Sequence, residues 1–316
     1  MRRASLIGIL LLIAGAAPFL VSGFHVFQLS QVLVYAIALV GLNLLTGFNG
    51  QISLGHGAFY AIGSYTTAIL ISHEVLPYWA AVPIGGAVGF VVGFLFGLPA
   101  VRLEGIYLAL ATFALADATP QVLKHRRLEF LTGGVQGIVL DKPDAPGGLP
   151  LDPDQWLYLF CLAFTIVLFA MAWNLVRSRT GRAMIAIRDH PIAAATMGIH
   201  TSRVKALTFG VSAGYTALAG GLGALITGFV SPDSFTFFLS IDLIVGVIVG
   251  GIASILPMLF GAAFIEFTPT LASQISDAAP GAIYGAILIA FMIFTPRGLA
   301  GLLGRRFGRA TKGAGT

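Results

Sequence analysis

Apolar runs of membrane-spanning length follow one another from Ser5 to Phe294, separated by short polar breaks, and they leave this chain little choice of fold. A helix needs about twenty apolar residues to cross the hydrocarbon layer. In lipid every backbone amide has to find its partner inside the protein, so a run of that length is read as helix. Composition closes the soluble alternative: 57% of the residues are hydrophobic, 10% are charged, and the mean hydropathy is +0.92. A soluble domain carries about 25% charged residues, and so few charges cannot cover the surface of a 316-residue body. The expected fold class is all-α and polytopic, a single transmembrane domain over residues 1–316.

About ten spans of roughly twenty residues are expected. They cover residues 5–21, 31–45, 52–71, 79–100, 106–123, 155–176, 206–230, 241–255, 257–275 and 281–294. Arg2 and Arg3 precede the first run, as they would a signal peptide, but no small-residue cleavage site follows at Ser22-Gly23-Phe24-His25. Between the runs lie a Pro-, Gly- and Asp-rich loop at 124–154 and a basic segment at 177–205, and a basic tail occupies 296–316. Cationic residues collect on the cytoplasmic side of membrane proteins. With both termini inside, Lys124, Arg126, Arg127 and Lys142 are external and the other fourteen of the 18 Lys and Arg residues are cytoplasmic. The sequence pI of 9.6 therefore follows topology and is no nucleic-acid signal. The 40 glycines and 15 prolines fit closely packed helices that are broken or re-entrant in places. Cys161, the single cysteine, sits in an apolar run and reads as a core thiol with no disulfide partner.

The segment 177–205 is a polar island that holds Arg177, Arg179, Arg182, Arg188, Arg203 and Lys205. Pro191 stands where a short helix can begin, since proline fits the first helical turn. Ile192, Ala193, Ala194, Ala195, Thr196 and Met197 follow, and Gly198 supplies a stop that favours positive φ. A two-turn helix with small residues on its surface has too little apolar area to anchor in lipid and suits a groove on a soluble partner. Arg182, Arg188, Asp189, Pro191, Ile192, Ala193, Ala194 and Gly198 are the candidate contact residues. A plain positive-inside loop is the other reading.

Two further stretches look built for more than spanning. Residues 41–57 place Asn43, Asn49, Gln51, Ser53 and His56 at membrane depth among five glycines. Irregular backbone there has to be buried in protein or line a cavity, so these residues are candidates for the translocation path, with a tight packed turn as the alternative. In the external loop, Leu131-Thr132-Gly133-Gly134-Val135-Gln136-Gly137-Ile138 is a candidate backbone nest near the outer mouth, and Thr132 and Gln136 join the path list. Asp117, Asp242 and Glu266 fall in or near the apolar runs. A proton-coupled transporter would use such carboxylates as relays, whereas helix ends and interhelical hydrogen bonds are the structural alternative. Pro120 also offers a helix break beside Asp117. There is no G-x-x-x-x-G-K-[ST] phosphate loop, no H-E-x-x-H and no cysteine pair. The chain does not read as an enzyme, and no metal site is expected.

Residues 41–70, GLNLLTGFNGQISLGHGAFYAIGSYTTAIL, resemble the early signature of the LivM-type permeases of branched-chain amino acid ABC transporters. Residues 102–111 (RLEGIYLALA), 132–138 (TGGVQGI), 178–198 and 296–302 (PRGLAGL) are similar to further blocks of that family. The resemblance runs from about Leu33 to Leu303. It implies a multi-pass permease in the bacterial inner membrane that imports branched-chain or other hydrophobic amino acids. The implied partners are a second, LivH-like permease, two ATPase subunits that carry ATP and magnesium, and a periplasmic binding protein. No cofactor is implied in this chain. Permeases for urea or short amides share the pattern. The island resembles the cytoplasmic coupling loop, whose E-A-A-x-x-x-G pattern becomes Ile192-Ala193-Ala194-x-x-x-Gly198, without the glutamate.

Overall fold

A computed structural model describes residues 13–103, 105–146, 150–275, 280–294 and 298. The elements in chain order are α1 (13–20), α2 (Gly23–Asn43), a π-helical turn (Leu44–Phe48), α3 (His56–Ser72), α4 (Tyr78–Ala100), α5 (Ile106–Leu123) and the short α6 (Glu129–Thr132). Then come β1 (Ile138–Val139), α7 (Pro153–Arg177), α8 (Arg179–Asp189), α9 (Pro191–Thr196) and α10 (Thr201–Thr227). The chain closes with β2 (Phe229–Val230), a 3₁₀ turn (Pro232–Ser234), α11 (Phe237–Gly250), α12 (Met258–Ile275) and α13 (Pro280–Phe294).

The bundle is built around α10, which packs along α4, α3 and α2 and is almost entirely buried. Lipid tails are as apolar as leucine, so no hydrophobic force drives helices together inside a membrane, and close backbone approach has to do it. The sequence supplies that approach. On α4, Gly85, Gly89, Gly93 and Gly97 recur every fourth residue and share one face. A Cβ at Gly93 would overlap the Cβ of Ala213, and one at Gly89 would overlap that of Ala217. On α3, a Cβ at Gly63 would overlap the backbone of Ala217, and on α10 one at Gly220 would overlap the Tyr60 carbonyl. Ser64 adds a hydrogen bond to the Gly220 carbonyl at 2.8 Å.

Each expected apolar run falls on a helix, but the expected count needs correction. Among the described residues six helices, not ten, are long and apolar enough to cross a membrane: Gly23–Phe48, Tyr78–Ala100, Ile106–Leu123, Pro153–Arg177, Thr201–Thr227 and Pro232–Gly250. The shortfall has local causes. α3 is only 17 residues long, because the backbone from 49 to 55 leaves the helix. α12 is diluted by Glu266, Pro269 and Gln274, and α13 spans 15 residues. A helix sheathed by its neighbours, as α3 is by α4 and α10, need not match the hydrocarbon thickness alone. The expected break at Pro120 is absent: α5 runs through it. The first part of the first expected span (5–12) and the tail 296–316, apart from Gly298, lie outside the described residues.

The loops sort to two ends. One end gathers the π turn, the α4–α5 connection, the island and the 251–256 turn; Arg188 Nη1 donates to the Gly47 carbonyl at 2.9 Å, and Asn43 bonds Ala253 and Ser254. The other end holds the ion pairs Lys124–Asp233 and Lys142–Asp154, together with β1 and β2, paired antiparallel with Ile138 opposite Val230.

The glycine contacts make a direct prediction. Gly63→Val and Gly93→Val force backbones apart and should each cost about 1–3 kcal/mol as overpacking, read as a lower unfolding midpoint in detergent. Gly23→Ala, where nothing lies within 4 Å of the added Cβ, should leave the midpoint unchanged.

Candidate functional site

The island folds as two helices at a sharp angle in the chain. α8 opens on Ser178, whose Oγ accepts from the Gly181 amide at 3.3 Å, and Gly181, Met184 and Ile187 turn one face into the bundle. Pro191 occupies the first turn of α9. The helix ends in a Schellman closure: the Gly198 amide bonds the Ala195 carbonyl at 3.0 Å and the Ile199 amide bonds the Ala194 carbonyl at 3.1 Å. Gly198 has φ +82, where a side chain is strained, with nothing within 4 Å of an added Cβ. Arg188 fixes the corner. Its Nε donates to Asp189 Oδ1 at 2.9 Å and its Nη1 to the Gly47 carbonyl, tying α8 to the π turn at the end of α2. A cation suits that place, because carbonyls at a helix C-terminus lack helical partners.

The outward surface of α9 differs from the expectation of three small alanines. Ala194 is 4% exposed and faces inward, whereas Ile192 is 82% and Met197 83% exposed. Six residues at 3.6 per turn cannot present Ala193, Ala194 and Ala195 on one side, and the inner side goes to Ala194. The island therefore shows two large apolar side chains beside Ala193, Ala195 and the exposed Arg182.

The polar stretch 43–57 is buried and internally bonded. Asn43 clamps the 251–256 turn: its Oδ1 accepts from the Ala253 amide at 2.9 Å and its Nδ2 donates to the Ser254 carbonyl. That clamp holds Ala253 at φ +59, a conformation rare for a residue with a Cβ. Asn49 Nδ2 donates to Gln51 Oε1 at 2.8 Å, and Thr46 Oγ1 donates to the Gln51 carbonyl at 3.2 Å. Ser53 Oγ lies 2.9 Å from His56 Nδ1, and His56 Nε2 lies 2.7 Å from Ser212 Oγ. Ser212 spends its hydrogen on the Gly41 carbonyl at 2.6 Å, so it accepts from His56 Nε2 and Ser53 donates to Nδ1. Both imidazole nitrogens are thus engaged. Asn49 and Gln51 also line a cavity of about 190 Å³ that they share with Arg188, Pro191 and Lys205.

At the opposite end, Thr132 is buried and its Oγ1 donates to the Leu123 and Leu128 carbonyls and accepts from the Gly134 amide. Gly133, Gly134 and Gly137 have positive φ, and Gln136 is exposed. Of the carboxylates, Asp242 accepts from Tyr284 at 3.2 Å, Glu266 is half-buried, and Asp117 is exposed on α5.

Reading the sequence missed the partners contributed by distant helices: Ser212 to His56, Ser240 to the Gly57 amide, and Thr112 to the Leu54 amide. The one available signal was the i, i+4 spacing of Thr208, Ser212 and Thr216, a polar stripe on an apolar helix.

Residues 25–296 match the family described as branched-chain amino acid transport system / permease component. The chain belongs to that permease family. It is 33% identical to the high-affinity branched-chain amino acid transport system permease protein LivM of Salmonella typhimurium, over 92% of this chain and 73% of that protein. LivM of Escherichia coli is equally similar, 33% identical over the same shares. It is 25% identical to LivH of Escherichia coli, over 84% of this chain and 91% of LivH. No solved structure is a significant match. As a member of this permease family, the chain is a multi-pass membrane protein, and its long apolar helices agree.

The inward Ala194 separates two kinds of substitution. Ala194→Trp should pry α9 from α8 and speed tryptic cleavage at the island's arginines, whereas Ala193→Trp should leave the cleavage pattern unchanged. Gly198→Val should strain the closure by about 1–2 kcal/mol and give an intermediate pattern.

Proposed function

We propose that this chain is the LivM-type subunit of a binding-protein-dependent ABC importer that moves branched-chain or other hydrophobic amino acids across the bacterial inner membrane. Membership of the permease family carries the substrate class, and the names of its LivM and LivH relatives agree. The chain does no covalent chemistry. Two ATPase subunits bind ATP and magnesium, a LivH-like permease completes the passage, and a periplasmic receptor delivers the amino acid. Both termini and the island face the cytoplasm, as the concentration of arginine there favours.

The observation that supports a motor contact is the pair Ile192 and Met197, exposed on and just after α9, which follows the α8 end that Arg188 ties to the π turn. Two large apolar side chains in a polar segment are poor anchors in lipid and good knobs for a groove. Arg182, Asp189 and Pro191 frame the contact, and Ala194 and Gly198 hold its shape. A push on α9 would reach α2 through Arg188 and the Gly47 carbonyl, and α2 carries Asn43, which holds the 251–256 turn.

Ile192→Asp combined with Met197→Asp should weaken capture of the ATPase subunits by at least about a hundredfold, since each buried apolar side chain contributes about 1.5–3 kcal/mol. Insertion and folding should persist, because both residues are solvent-exposed. Receptor-stimulated uptake in proteoliposomes should require ATP and all the partners. Proton-driven uptake by this chain alone would overturn the assignment, and capture unchanged in the double variant would move the motor contact off α9.

A further inference from the structure

Asp117 lies within about 4 Å of the middle of α5, counted at 1.5 Å of rise per residue, and its side chain is exposed. Tyr107, Leu110, Ala114 and Gln121 are exposed on the same face, spaced three or four residues apart, while Leu108, Thr112, Ala116 and Pro120 are buried on the other side. α5 packs its buried face against α3, α11 and the 3₁₀ turn. A carboxylate at mid-depth is expensive against hydrocarbon, so this stripe faces protein or water. Among the described residues the carboxylate has no cationic partner: Lys124, one residue past the end of the same helix, is engaged with Asp233.

We propose that the exposed stripe of α5 lines the passage shared with the second permease, and that Asp117 binds the α-ammonium group of the amino acid as it passes. This rests on the import function proposed above. A primary ammonium carries three donors and full positive charge, which matches an exposed carboxylate. Tyr107 and Leu110 give an apolar side chain a surface to slide on, and Ala114 leaves room one turn away from the carboxylate. A carboxylate inside a water-filled passage also escapes the desolvation it would suffer in lipid. Asp117 is then a specificity-determining residue for ammonium-bearing solutes.

The test uses the assembled complex in proteoliposomes. Asp117→Asn should lower uptake by about tenfold, the scale of one hydrogen bond to a charged group, with receptor-stimulated ATP hydrolysis retained, and Asp117→Glu should restore most of the uptake. A readout of local charge comes from Gln121→Cys, since Cys161 is fully buried and adds no background. That variant should react with a cationic methanethiosulfonate reagent at least about tenfold faster than with an anionic one of similar size, and Asp117→Asn should erase the preference. Inertness of Gln121→Cys to both reagents, or parent-like uptake by Asp117→Asn, would overturn the proposal. Loss of the second permease from the Asp117→Asn complex would also overturn it, because the carboxylate would then pair with a cation of that subunit. Failure of the parent complex to carry amino acids would refute the import function itself, while the charge preference at Gln121→Cys would still decide whether the stripe lines an aqueous passage.

Discussion

Backbone contact along α10 is the constraint on which the rest of the structure depends. Gly89 and Gly93 of α4 and Gly63 of α3 bring their helices against Ala213 and Ala217 with no side chain between them. In lipid this closeness is the main source of helix affinity, since dispersion and weak C–H···O contacts grow as backbones approach. It also sets where everything else sits. With α3 and α10 in contact, His56 at the start of α3 meets Ser212 of α10, and Ser212 in turn reaches the Gly41 carbonyl of α2. Three helices are joined by one serine hydroxyl and one imidazole, and His56 also packs edge-on to Phe59 at 5.8 Å.

The polar groups nearest the centre of the bundle are largely committed to one another. The residues 43–57 carry enough polar groups to line a passage, yet most are bonded to one another or to α10 and α11, and they are buried in this chain. Buried polar networks of this kind specify a single arrangement when they are satisfied. What remains available for change lies at the rim: α9 with its exposed apolar pair, the Arg188 tie to the π turn, the strained 251–256 turn, and the outer face of α5. Arg188, at the end of α8 just before α9, is bonded to the π turn that continues α2. The buried face of α5 is joined to the start of α3 through the Thr112 bond to the Leu54 amide.

The sequence by itself determined the class of the protein, because lipid admits so few solutions for an apolar chain of this composition. Run lengths placed the long described helices, and Pro191 and Gly198 bounded α9 through chemistry that acts within a few residues: a missing amide and a missing Cβ. Tertiary structure decided what no local pattern encodes. Whether a run crosses alone or is sheathed depended on neighbours, as α3 shows with its 17 residues. Ala194 faced inward and Ile192 outward because the bundle beside α9 set its rotation. Ala253 beside Asn43, Ser212 beside His56 and Ser240 beside Gly57 are each more than 150 positions away from their partners, brought near only by packing. Asp117 read in sequence as one of three equivalent carboxylates; the burial of the opposite face of α5 is what singled it out.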